Sequence, residues 1–303
     1  MEPSIAVSPV SASRTASAAT IAAAGFLALS FSWVYRDVVK GLVRDWWFDD
    51  NYSHGFLIIP IALFFAWESR DKLRAAVIRP SVSGLVGLIG SIGVLVAGIL
   101  GAELFLSRVS LIGTLGSIVV FVAGWQVFRI LLFPLAVLLL MVPIPAIIFN
   151  QITFPLQLLA SRVGELALRV LQVPVLREGN IIVLANTSLE VAEACSGIRS
   201  LISLLTLGIV FGHFADRRPW ARIVIALATI PVAVVANGVR VAGTGIAAHY
   251  IGPEAALGFF HTFSGWLVFV IALSMLFAMQ RLMMWVAPDE QPHRSSRSAM
   301  ERK

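Results

Sequence analysis

Charge and cysteine are both scarce in this chain. Asp, Glu, Lys and Arg make up only 13% of the 303 residues, against 58% hydrophobic residues, and the mean hydropathy is +0.88. That leaves too little polar surface to cover a soluble core, so a soluble globular fold is excluded and a bilayer is the natural solvent. Cys195 is the only cysteine, which rules out an intramolecular disulfide and any zinc or iron-sulfur site built on several thiolates. The chain also lacks a His-Glu-x-x-His zinc motif and a Gly-x-Gly-Asp aspartyl motif, so two kinds of membrane protease chemistry fall away. No metal or other cofactor is expected. The net charge of +6 reads as basic loops that fix membrane orientation, and no nucleic-acid partner is expected.

Apolar runs of span length mark eight candidate transmembrane helices, near residues 16–34, 55–67, 82–102, 104–125, 128–148, 197–213, 223–247 and 263–286. The first is read as an uncleaved span, because Tyr35, Arg36 and Asp37 follow it in place of a small-residue cleavage site. The second is short and could be tilted, re-entrant or interfacial. Basic clusters at Arg70, Lys72, Arg74 and Arg79, at Arg217, Arg218 and Arg222, and at Arg294, Arg297, Arg302 and Lys303 fall on one side if both termini are cytoplasmic. The segments 36–50, 145–194 and 250–262 then lie outside. The expected fold is an all-α polytopic membrane protein, one domain over 1–303 with a membrane core at 15–290 and flexible tails at 1–15 and 288–303.

The outer segment 145–194 carries two further expectations. After Pro143 and Pro145 end the fifth span, Leu158, Leu159, Val163, Leu166 and Val170 recur near helical spacing while Gln157, Arg162, Glu165 and Arg169 take other faces. That pattern predicts an amphipathic helix, either interfacial or packed in the ordinary way. From Val173 to Val191, β-prone pieces separated by Arg177-Glu178-Gly179-Asn180 and Asn186-Thr187-Ser188 predict two successive hairpin turns. So small a sheet cannot span a bilayer and is expected as an extracytoplasmic cap.

Chemistry concentrates where the outer segments meet the spans. Cys195 stands in Glu193-Ala194-Cys195-Ser196-Gly197-Ile198-Arg199, at the start of a helix whose dipole and free amides favour a thiolate, with Arg199 one turn on. Glu193 opposes that effect if it is close. Arg240 sits inside a span beside Asn237, where a charge is expensive and normally faces a cavity or a partner. His261 stands at the entrance to the last span. In the eight-span topology Cys195, Arg240 and His261 share one membrane level, so a nucleophile, a cation and a proton carrier could converge for thiol acyl transfer.

These motifs resemble the exosortase and archaeosortase family, specifically the bacterial exosortases. The likeness rests on Ala194-Cys195-Ser196-Gly197-Ile198-Arg199-Ser200, Asn237-Gly238-Val239-Arg240-Val241 and His261 with Gly265-Trp266, in the family's order. Tyr52-Ser53-His54-Gly55-Phe56, the Pro143-Ile144-Pro145 break and Arg177-Glu178-Gly179-Asn180 add support. The resemblance implies a membrane-anchored protein substrate whose C-terminus carries a Pro-Glu-Pro motif, a single span and a basic tail. It also implies Cys195 as nucleophile, Arg240 as oxyanion stabiliser and His261 as acid or base, in the inner membrane and linked to exopolysaccharide or envelope biogenesis. The form implied is the one without the additional C-terminal domain that some exosortases carry. Arg199, Glu193, Asn237, Ser53 and His54 are candidates for substrate contact or support, and the acceptor is an amine or water. The competing reading is a transporter or polysaccharide export component in which Arg240 and His261 line a path.

Overall fold

A computed structural model describes residues 18–185, 188–191, 198–216, 218–252 and 259–286, with side chains outside the description at 18–21, 24, 198–199 and 259–264. The described residues are mostly helical, 81% of them, with one small sheet. Ten helices are described: α1 Ala18–Phe48, α2 Gly55–Glu68, α3 Arg70–Ala75, α4 Ser83–Leu100, α5 Leu104–Ala123, α6 Trp125–Val137, α7 Ala146–Val170, α8 Ile198–Ala215, α9 Pro219–Tyr250 and α10 Phe259–Val286.

Four of these are long and apolar enough to cross a membrane over Ser83–Leu100, Leu104–Ala123, Pro219–Tyr250 and Gly265–Val286. A fifth crossing results if Trp125–Met141 and Ala146–Val170, bent by 77° at their break, count as one. The expected total of eight spans is therefore not established. Gly55–Glu68 and Ser200–Ala215 are apolar but shorter. One boundary also differs from the sequence reading: α1 continues through Arg36 and Asp37 to Phe48, where an outer loop was expected. Tyr35, Leu42 and Trp46 are all buried and recur at helical spacing, so one buried face carries the helix past its charged residues.

Two compact units divide the chain, 1–44 with 77–128, and 45–76 with 129–303. In the first, α4 and α5 form a hairpin in which Glu103 caps α5 by accepting from the Phe105 amide at 3.2 Å. Tyr35 adds α1 through hydroxyl contacts with Thr114 at 2.7 Å and Ser110 at 3.2 Å. The α4–α5 contact depends on small residues, since apolar lipid gives packed helices no hydrophobic advantage and close backbone approach must hold them. Gly84 shows how close: a Cβ there would overlap the Phe121 backbone.

In the second unit α9 is the central helix, with α7, α8 and α10 packed on it. Leu204, Val232, Ala236, Val268, Ala272 and Leu276 form the core between α8, α9 and α10. The sheet is the expected pair of hairpins: β1 Val175–Glu178, β2 Ile181–Leu184 and β3 Ser188–Glu190. The strands run antiparallel, with Val175 opposite Leu184 and Ile182 opposite Leu189. Gly179 takes the turn at φ +64°, a value open to glycine without strain. Ile182 and Leu184 pack with Leu168 of α7 and Val241 and Ala248 of α9 in one core. Glu165 then anchors the sheet to α7, accepting from Arg177 at 2.8 Å and pairing with Arg169 at 2.7 Å.

At the end of this unit away from the starts of α2 and α8, polar groups tie four helices. Arg222 donates to His213 Nδ1 at 3.2 Å, which leaves Nε2 to donate to Glu68 at 3.1 Å. Asp216 holds Arg218 at 2.6 Å, and that hydrogen bond keeps the Asp216 carboxyl below its ordinary range. Gln280 of α10 donates to the Ala215 carbonyl at 3.2 Å. The Glu68–His213 contact brings the basic residues of α3 and those of the α8–α9 turn to the same end.

Gly84→Ala should destabilise the solubilised protein by about 1–3 kcal/mol, the usual cost of forced overpacking. Gly90→Ala is the control, since a Cβ there meets nothing within 4 Å. Thermal midpoints in detergent check this, and equal midpoints for the two variants would contradict the close approach.

Candidate active site

A cavity of about 740 Å³ opens in the second unit, between the starts of α2 and α8 and the middle of α9. Asp50, Ser53 and His54 reach it from the turn before α2, and Leu57 and Ile61 follow on α2. From α8 come Ser200, Ser203, Thr206, Leu207 and Val210, from α9 Arg240, and from α10 Gly265 and Phe269. The lining runs along α8 from Ser200 to Val210, roughly 15 Å of helix. Asp50, Ser53, His54, Ser200, Ser203, Thr206 and Arg240 supply polar groups to the lining, and Leu57, Ile61, Leu207, Val210 and Phe269 supply apolar surface, so the cavity suits a ligand that carries both polar and apolar groups.

Of the residues singled out from sequence, Ser53, His54 and Arg240 line this cavity. Asn237, one turn before Arg240 on α9, is buried at 1% exposure. Cys195 and Glu193 lie outside the described residues, as do the side chains of Arg199 and His261. Three polar lining residues, Asp50, Ser203 and Thr206, were not anticipated. Ser203 and Thr206 follow Ser200 at three-residue steps, a hydroxyl stripe readable in an otherwise apolar helix, and Asp50 carried no signal beyond its charge.

One ring nitrogen of His54 is held by the backbone. Its Nε2 lies 3.2 Å from the Leu140 carbonyl; a carbonyl only accepts, so Nε2 carries the proton. Nδ1 is buried without a hydrogen bond of good geometry. Burial lowers the His54 pKa below its ordinary value, against the backbone groups of Leu140 and Asn51, which raise it.

Residues 46–278 match the family described as transmembrane exosortase (Exosortase_EpsH). The chain belongs to that family. No curated protein and no solved structure matches it. As an exosortase it is a multi-pass membrane protein, and membership suggests a membrane protease or transpeptidase whose substrate is a protein with a sorting signal. The matched region takes in the exosortase's whole cavity lining, from Asp50 to Phe269.

Because His54 is more easily protonated in the unfolded chain, its stabilising contribution is full above the ordinary histidine value of 6.5 and is lost as pH falls below it. The thermal midpoint of the solubilised protein should therefore fall between pH 7.5 and pH 5.5, and less steeply in His54→Gln. Parallel pH profiles for the two proteins would contradict the assignment.

Proposed function

We propose that the protein is a cysteine peptidase or transpeptidase that cuts the C-terminal sorting segment of membrane-anchored exported proteins. The whole chain acts as one exosortase-type domain in the bacterial inner membrane, with both termini cytoplasmic and the site on the outer side. The observation that supports this most is the shared cavity of Arg240, Ser200 and Gly265. Ser200 stands five residues after Cys195, and Gly265 four residues, about one helical turn, after His261. A half-buried cation inside an apolar helix is costly unless it faces a cavity or a partner, and Arg240 lines a cavity.

In this reading the Cys195 thiolate attacks the scissile carbonyl carbon, and the developing oxyanion is met by the Arg240 guanidinium. The carbon–nitrogen bond then breaks, His261 gives its proton to the leaving amine, and a thioester remains on Cys195. An acceptor amine, or water, attacks that thioester and returns a proton to His261, freeing the thiolate. Water makes the reaction hydrolysis; an amine makes it transpeptidation. Ser53, Asn237, Arg199 and Glu193 support the site or contact substrate. The polar and apolar groups lining the cavity suit a substrate that passes from an extended motif into a membrane span.

Cys195→Ala should abolish processing of a co-expressed substrate at normal enzyme abundance, and a new C-terminus found by mass analysis in that variant would sink the mechanism. Arg240→Lys keeps the charge but loses the planar fork, so cleavage should fall by about 100- to 1,000-fold, the usual value of one oxyanion donor. Near-normal cleavage by Arg240→Lys would remove the geometric role of the guanidinium.

A further inference from the structure

Between α6 and α7 the chain leaves the α-helix. Leu138–Met141 is a 3₁₀ turn and α7 begins only at Ala146, so the intervening backbone groups lose their helical partners. Apolar surroundings offer them no water. Three side chains from the short stretch 46–54 reach this break. Trp46 Nε1 donates to the Met141 carbonyl at 2.9 Å, His54 Nε2 lies 3.2 Å from the Leu140 carbonyl, and the Tyr52 hydroxyl accepts from the Ile144 amide at 3.2 Å.

Gly55 completes the arrangement: a Cβ at that position would overlap the Trp46 indole, so only glycine lets the ring lie against the start of α2. Tyr52 is buried at 6% and Trp46 at 4% exposure, which makes these internal bonds. The same stretch supplies Asp50, Ser53 and His54 to the cavity wall. A proton carrier in the reaction needs a nitrogen free to exchange its proton with substrate. His54 has its protonated nitrogen committed to a backbone carbonyl and its other nitrogen buried.

We propose that His54 is a positioning residue, the cavity-side member of a Trp46–Tyr52–His54 clamp that locks the α6–α7 break and thereby fixes the wall carrying Asp50 and Ser53. Its role in the reaction rests on the proposed peptidase function; its bond to Leu140 does not. An amide side chain of similar reach can make that donor bond, whereas an alkyl side chain cannot.

The experiment compares His54→Gln and His54→Ala in the full-length protein, reading substrate cleavage at equal membrane abundance and thermal midpoint without substrate. His54→Gln should stay within about tenfold of wild type in cleavage and keep most of the midpoint, while His54→Ala loses both. A loss of about 100-fold or more in His54→Gln with an unchanged midpoint is the signature of a general acid or base and overturns the proposal. Normal behaviour of His54→Ala in both readouts overturns it equally. Should either variant fail to accumulate, nitrogen NMR of ring-labelled wild-type protein decides the point: a neutral Nε2–H tautomer at pH 7 is expected, and an Nδ1–H or charged ring refutes the clamp. Absence of cleavage by wild type would count against the peptidase reading alone, because the midpoint and the tautomer use no substrate.

Discussion

A backbone carbonyl or amide that leaves a helix in apolar surroundings has to find another partner in the protein, because no water is there to take it. That constraint is sharpest between Leu138 and Pro145, where Pro143 and Pro145 prevent the helix from continuing and α6 and α7 diverge by 77°. The answer is a set of side chains gathered from residues 46–54, whose indole, phenol and imidazole groups bond Met141, Ile144 and Leu140. The turn before α2 is fixed by the same bonds, and that turn provides Asp50, Ser53 and His54 to the cavity lining. Satisfying the break and shaping the site are one structural event.

The rest of the second unit keeps that cavity in place. α9 carries Arg240 and is packed against α7, α8 and α10, so the guanidinium is presented from the central helix of the unit. The sheet packs on α7 and the C-terminal half of α9, with Val241 in the shared core next to Arg240. At the other end, Glu68, His213 and Arg222 join α2, α8 and α9 through hydrogen bonds. α2 and α8, which both line the cavity, are thus bound together at their C-terminal ends. His213 also stacks on Phe133 at 4.7 Å between ring centres and lies edge-on to Phe65.

Several motifs that stood out in the sequence turn out to do different kinds of work. Arg177-Glu178-Gly179-Asn180 closes a hairpin and anchors it, through Arg177 on Glu165 and Gly179 at positive φ. Within Tyr52-Ser53-His54-Gly55, Tyr52, His54 and Gly55 serve the clamp, while Ser53 and His54 also face the cavity. Arg240 was picked out by its cost in a span and does line the cavity. Cys195 and the His261 side chain lie outside the described residues, so their part in the chemistry belongs to the proposed function.

By itself the sequence determined what depends on neighbours in the chain. Composition demanded a membrane, apolar runs of span length marked α4, α5, α9 and α10, the prolines announced a break, and β-prone pieces separated by turn residues announced the three strands. The ordered Cys, Arg and His motifs pointed to the exosortase family, which residues 46–278 match. Only the tertiary structure decided which polar residues face a cavity and which serve the backbone. His54, Tyr52 and Trp46 find their partners 86, 92 and 95 residues away, and no local pattern encodes a partner so distant. The extent of α1 was hidden for the same reason: the charges at 36 and 37 signalled an end, and the buried face of Tyr35, Leu42 and Trp46, a property of packing, carried the helix through.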